Sequence, residues 1–110
     1  MKYKYGNLPN DQVDRYKIKL HKKLFWLILY KDPKLYKKYG YIDFEKYFTY
    51  LMGEIDGLNR LLSYPVQIIE IMSLLEEAHK ITEQDVFNYG QYRKYVLDAH
   101  ALIDEIGVVA

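Results

Sequence analysis

The chain contains no cysteine. Disulfide staples and thiolate chemistry are thereby excluded, and folding must rest on apolar burial alone. At 110 residues, half of them hydrophobic, it is long enough to build one core. Long apolar runs are missing too. The longest, Leu24-Phe25-Trp26-Leu27-Ile28-Leu29-Tyr30, is seven residues, whereas a membrane-spanning helix needs about 20. The start, Met1-Lys2-Tyr3-Lys4-Tyr5, lacks the apolar stretch and cleavage site of a secretory leader, so a cytoplasmic protein is expected. Neither an internal repeat nor a low-complexity linker interrupts it, and residues 1–110 read as one domain. Three signatures of catalysis are also absent: a glycine-rich nucleotide loop, a Ser/His/Asp arrangement and a Cys/His metal pattern. The leading expectation is a non-enzymatic protein without a cofactor, with an enzyme as an alternative.

What is present is unevenly distributed. The net charge of +1 conceals a polarity: residues 1–46 hold twelve Lys/Arg against five Asp/Glu, and the remainder holds four against ten. Lysine outnumbers arginine thirteen to three, and tyrosine outnumbers phenylalanine thirteen to four.

Hydrophobic spacing of three and four residues recurs in four segments, which predicts an all-α fold. The expected architecture is an antiparallel bundle of three to four amphipathic helices, over about 10–31, 43–62, 65–80 and 83–106. The first carries Val13, Tyr16, Leu20, Leu24, Leu27 and Ile28 on one stripe and stops at Asp32-Pro33. A connector over 33–42, with room for one helical turn, ends near Gly40. Asp43 is placed to accept the free amides of the second helix, and Pro65 suits the first position of the third. The fourth is expected to begin after Thr82, with a break near Gly90 and a stop at Gly107. Gly53 and Gly57, one turn apart, predict close packing against a neighbouring helix, or failing that an approach by another chain. Val108-Val109-Ala110 either folds back over the bundle or frays.

Candidate chemistry is sparse. Glu76 and His79 form a Glu-x-x-His pair, and His100 and Asp104 lie one turn apart further on. With Glu54 they make a metal cluster geometrically conceivable, and with it the alternative of a metal-dependent all-α enzyme, since helical bundles hold metals with inward Glu and His. Both histidines are expected instead to border the apolar stripe, with one edge packed and the other wet. Acidic residues beyond position 46 read as solvated surface rather than as a magnesium site.

Lysines and tyrosines interleave through the N-terminal region. They suit phosphate neutralisation and base stacking, which keeps a nucleic-acid-binding role open. The stronger expectation is protein–protein interaction, because tyrosine joins an apolar body to a polar tip and is favoured at interfaces. The expected surface is Lys34, Tyr36, Lys37, Tyr39 and Tyr41 of the connector, joined by Tyr47 and Tyr50. The expected function is binding to a protein partner by a homodimer, with no membrane involved. In size and helical form the chain is similar to bacteriocin immunity proteins and to small phage or mobile-element proteins. That likeness is architectural, and architecture does not imply function.

Overall fold

The computed structural model describes residues 2–3, 6–7, 10–62 and 65–106. A two-residue antiparallel pairing, β1 (Lys2–Tyr3) with β2 (Gly6–Asn7), precedes the helices. Then follow α1 (Asn10–Lys31), a 3-10 turn (Pro33–Leu35), α2 (Tyr36–Tyr39), α3 (Phe44–Leu61), α4 (Val66–Thr82) and α5 (Tyr89–Ile103). The fold is all-helical, with five closely packed helices, and no helix is long and apolar enough to cross a membrane among the described residues. The expectations placed on Val13, Gly107 and Val108-Val109-Ala110 lie outside the described residues or side chains.

Helix boundaries follow local chemistry. Proline after Asp32 ends α1, and the Asp32 carboxylate accepts the Lys34 amide at 2.9 Å to start the 3-10 turn. Asp43 caps α3 as expected, accepting the Lys46 amide at 3.1 Å. Pro65 stands at the cap of α4 rather than inside it. The last helix begins later than the spacing predicts. Thr82 closes α4 by donating its hydroxyl to the His79 carbonyl at 2.6 Å, and the cap of α5 is Asn88, whose side chain accepts the Gln91 amide at 3.1 Å. A threonine can bond back to a carbonyl at a helix C-terminus as readily as it caps an N-terminus. The acidic residues after Thr82 make the second role look right when the first is the real one.

Among the described residues, nineteen hydrophobic side chains form one core, with Leu24, Leu51, Ile68, Ile71, Leu75, Val96, Ala99 and Ile103 fully enclosed. The closest packing joins α4 to α5, and α1 and α4 each pack on both α3 and α5. Tyr92 is the largest enclosed side chain, and its hydroxyl donates to the Leu27 carbonyl at 2.6 Å. Tyr89 does the same to Ile28 at 3.2 Å. Ile28 belongs to the last four carbonyls of α1, which lack in-helix amide donors, and Leu27 directly precedes them.

Gly53 and Gly57 correct an expectation. Among the described residues a Cβ built at either would meet nothing within 4 Å, so neither glycine is there to let α3 pack tightly against one of the described helices. Gly40 is different: a Cβ there would come within 2.5 Å of the Tyr36 carbonyl oxygen and 2.9 Å of its ring. Glycine lets α2 close its single turn, with the Gly40 amide donating to Tyr36 at 2.6 Å.

Candidate functional site

The connector between α1 and α3 presents an aromatic, basic surface. Tyr36 is 73% exposed and Tyr41 82%, and Lys34 and Lys37 beside them are exposed as well. The same connector borders a concavity of about 510 Å³, lined by Tyr30, Lys31, Asp32, Pro33, Tyr36, Tyr39, Gly40, Ile42, Phe44 and Phe87. The Lys31 ammonium lies 4.3 Å from the centre of the Phe44 ring, a cation–π contact at its base.

The floor is held by rings. Tyr30 meets Trp26, Tyr39 and Tyr47 at centroid distances of 5.6, 5.6 and 5.1 Å, the last two edge to face. Such offset and edge-on contacts orient aromatic surfaces without opening voids. Tyr39 and Tyr47 are therefore half-buried supports rather than free contact residues. Tyr47 donates its hydroxyl to the Lys23 carbonyl at 2.9 Å. Burial raises its phenol far above the ordinary range, helped by Tyr30 and Glu54 nearby. Tyr50 stands apart from the concavity. It donates to Glu54, its ring faces the Lys23 ammonium at 5.5 Å, and the bond to Glu54 raises its own pKa. Of the seven expected surface residues, Lys34, Tyr36, Lys37, Tyr41 and Tyr50 are exposed, and Tyr39 and Tyr47 are half-buried.

The five expected metal candidates do not converge. Glu54 pairs with Lys23. Burial alone would raise the Glu54 carboxyl, but the Lys23 and Tyr50 hydrogen bonds hold it below the usual carboxylate range. Glu76 is exposed on α4. His79 stacks on Phe48 at 4.6 Å, and its two nitrogens face Glu45 at 2.7 Å and Glu83 at 3.4 Å. One face of that ring is packed and its edges are wet. Among the described residues no group of three His, Asp or Glu is placed to hold a metal ion.

His100 and Asp104 do meet, through a residue that no sequence motif marks. His21 of α1 lies between them: its Nδ1 is 2.9 Å from His100 Nε2, and its Nε2 is 2.9 Å from Asp104 Oδ1. An ionised carboxylate only accepts, so His21 carries a proton on Nε2, and in the neutral ring its Nδ1 is left with a lone pair. The proton between the rings then sits on His100 Nε2. Burial lowers the His100 pKa, His21 adds to that, and Asp104 partly opposes it. Asp104 is itself lowered, first by its bond from His21. Lys17 completes the group, donating to the Asp104 carbonyl at 3.2 Å. His21 and His100 stand 79 positions apart, and no spacing rule connects such residues.

A second depression, about 300 Å³, opens between α1 and α3 beside Tyr16, Lys19, Lys23, Glu54, Gly57 and Leu61. The Lys23–Glu54 ion pair joins the basic N-terminal region to a carboxylate beyond position 46. Some of the charge polarity is thus neutralised within the chain.

No family model matches the chain, and neither the curated proteins nor the solved structures searched contain a match to it.

Proposed function

We propose that this chain is a non-enzymatic binding module that acts in the cytoplasm through a protein partner, with the connector between α1 and α3 as its contact surface. The observation carrying this reading is the concavity lined by Tyr36 and Tyr39, on a connector whose Tyr36, Tyr41, Lys34 and Lys37 side chains are all exposed. Rigid aromatic side chains contribute contact area at low entropic cost, and burying their exposed faces supplies binding energy. The lysines steer association toward an acidic segment of the partner. The frame behind the surface is an antiparallel helical bundle, a reading supported by the order of the bonds between α1 and α5: Lys17 reaches Asp104, His21 reaches His100 and Leu27 reaches Tyr92. The protein is proposed to act as a homodimer.

Affinity capture tests the surface, comparing the wild-type chain with Tyr36→Ala/Tyr41→Ala and Lys34→Glu/Lys37→Glu. Proteins retained by the wild type and lost from both variants support the proposal. Identical capture by all three chains removes the connector from it. Light scattering across micromolar concentrations tests the dimer, which a constant monomer mass would eliminate. Single-stranded oligonucleotide that binds at low salt and depends on the same tyrosines would transfer the surface to nucleic acid instead.

A further inference from the structure

The chain has three histidines and no cysteine, so few side chains can ligate a transition metal strongly. Two of the three meet. His21 Nδ1 and His100 Nε2 are 2.9 Å apart, with ring planes inclined by 57°. Behind His21, Asp104 accepts from Nε2 at 2.9 Å. A carboxylate in that position fixes the tautomer of a metal-binding imidazole and raises its basicity. An ion about 2.0–2.1 Å from each of two nitrogens at this separation sees them at about 90°. That is the cis angle of square-planar and octahedral geometry. Tetrahedral zinc would require the nitrogens to part to about 3.3 Å.

We propose that His21 and His100 form a two-imidazole binding site for a divalent metal of tetragonal preference, Cu²⁺ or Ni²⁺, oriented by Asp104. Binding involves no change of oxidation state. His100 moves its proton from Nε2 to Nδ1 by exchange with water, both rings stay neutral, and the ion replaces the hydrogen bond between them. The His21 side chain is 23% exposed and that of Asp104 is 77% exposed, so the ion enters from the surface. The positions the protein leaves open are filled by water. Since one ligand comes from α1 and the other from α5, the ion cross-links those helices and stabilises the fold by mass action.

Calorimetric titration of the full-length chain with Ni²⁺ alone, near neutral pH, tests the site. One ion per chain is expected. His21→Gln and His100→Gln each abolish binding, Asp104→Asn weakens it about 10- to 100-fold, and His79→Gln leaves it unchanged. Far-UV circular dichroism separates a lost site from a lost fold. Cu²⁺ paramagnetic resonance adds a second readout, with hyperfine coupling from two nitrogens that is lost in either glutamine variant. The proposal is overturned if the wild type shows no saturable Ni²⁺ binding, if binding survives in the double glutamine variant, or if it follows His79.

Discussion

His21 Nδ1 lies 2.9 Å from His100 Nε2, and this contact ties the middle of α1 to the end of α5. Its partner Asp104, bonded to the other His21 nitrogen, makes the link sensitive to acid. His100 is held below its ordinary value of 6.5, chiefly by burial, and Asp104 below 3.8, chiefly by its bond from His21. The folded chain therefore binds fewer protons here than the unfolded chain does. Stability is fully present above pH 6.5, falls as the pH drops from 6.5 through the depressed His100 value, and falls again below 3.8 as Asp104 is protonated. Melting temperatures in metal-free buffer should decline between neutral and mildly acid pH. In His100→Gln that first decline should flatten, and an unchanged profile would show that His100 does not couple to folding.

Removing one buried hydroxyl should be measurable. Tyr92→Phe keeps the ring but leaves the Leu27 carbonyl without its 2.6 Å donor, at a cost of about 1–2 kcal/mol. Tyr92→Ala also empties a fully enclosed site, at a cost of about 3–5 kcal/mol. Tyr89→Phe should cost less, since its bond is longer at 3.2 Å and only half-buried. Urea midpoints of the three variants give the order directly.

The glycines should respond in opposite directions. Gly53→Ala and Gly57→Ala introduce a methyl group into open space, and each should stabilise α3 by about 0.5–1 kcal/mol through helix propensity. Gly40→Ala forces a methyl against the Tyr36 carbonyl at 2.5 Å and should destabilise the connector. Thermal denaturation distinguishes the two classes. Should the alanines at 53 and 57 stabilise the fold yet abolish partner capture, that face of α3 belongs to the binding surface as well.

The exposed connector residues should be neutral for folding. Tyr36→Ala and Lys37→Ala remove side chains that stand in solvent, so stability should shift by no more than about 0.5 kcal/mol while capture declines. A loss of several kcal/mol for Tyr36→Ala would recast that ring as a structural support of α2.

Much of this fold is legible along the chain. The stripe Leu20, Leu24, Leu27 and Ile28 is buried as its spacing predicts, and so are Phe44, Phe48, Leu51 and Ile55 on α3. Asp32-Pro33 and Asp43 mark real boundaries. Such features are local: a helix turn spans four residues, and a cap acts on amides two or three positions away. Where local cues compete, they do not decide the boundary. Thr82 resembles a helix start, but its hydroxyl bonds back to the His79 carbonyl, α4 runs through it, and Asn88 begins α5.

The sequence by itself determined the main helices, the core stripes and the exposed tyrosine-lysine connector, because each depends on periodicity or on neighbours in the chain. Tertiary structure alone decided which charges pair and which histidines meet. His79 is drawn to Glu45, and Glu54 to Lys23, rather than to each other. His21, unremarkable on the shoulder of α1, becomes the centre of the His100 and Asp104 group. The physical reason is that a side chain on the edge of a helix stripe acquires its partner from the rotation and offset of the helix it packs on. Those are fixed by the core as a whole and by no short stretch of residues.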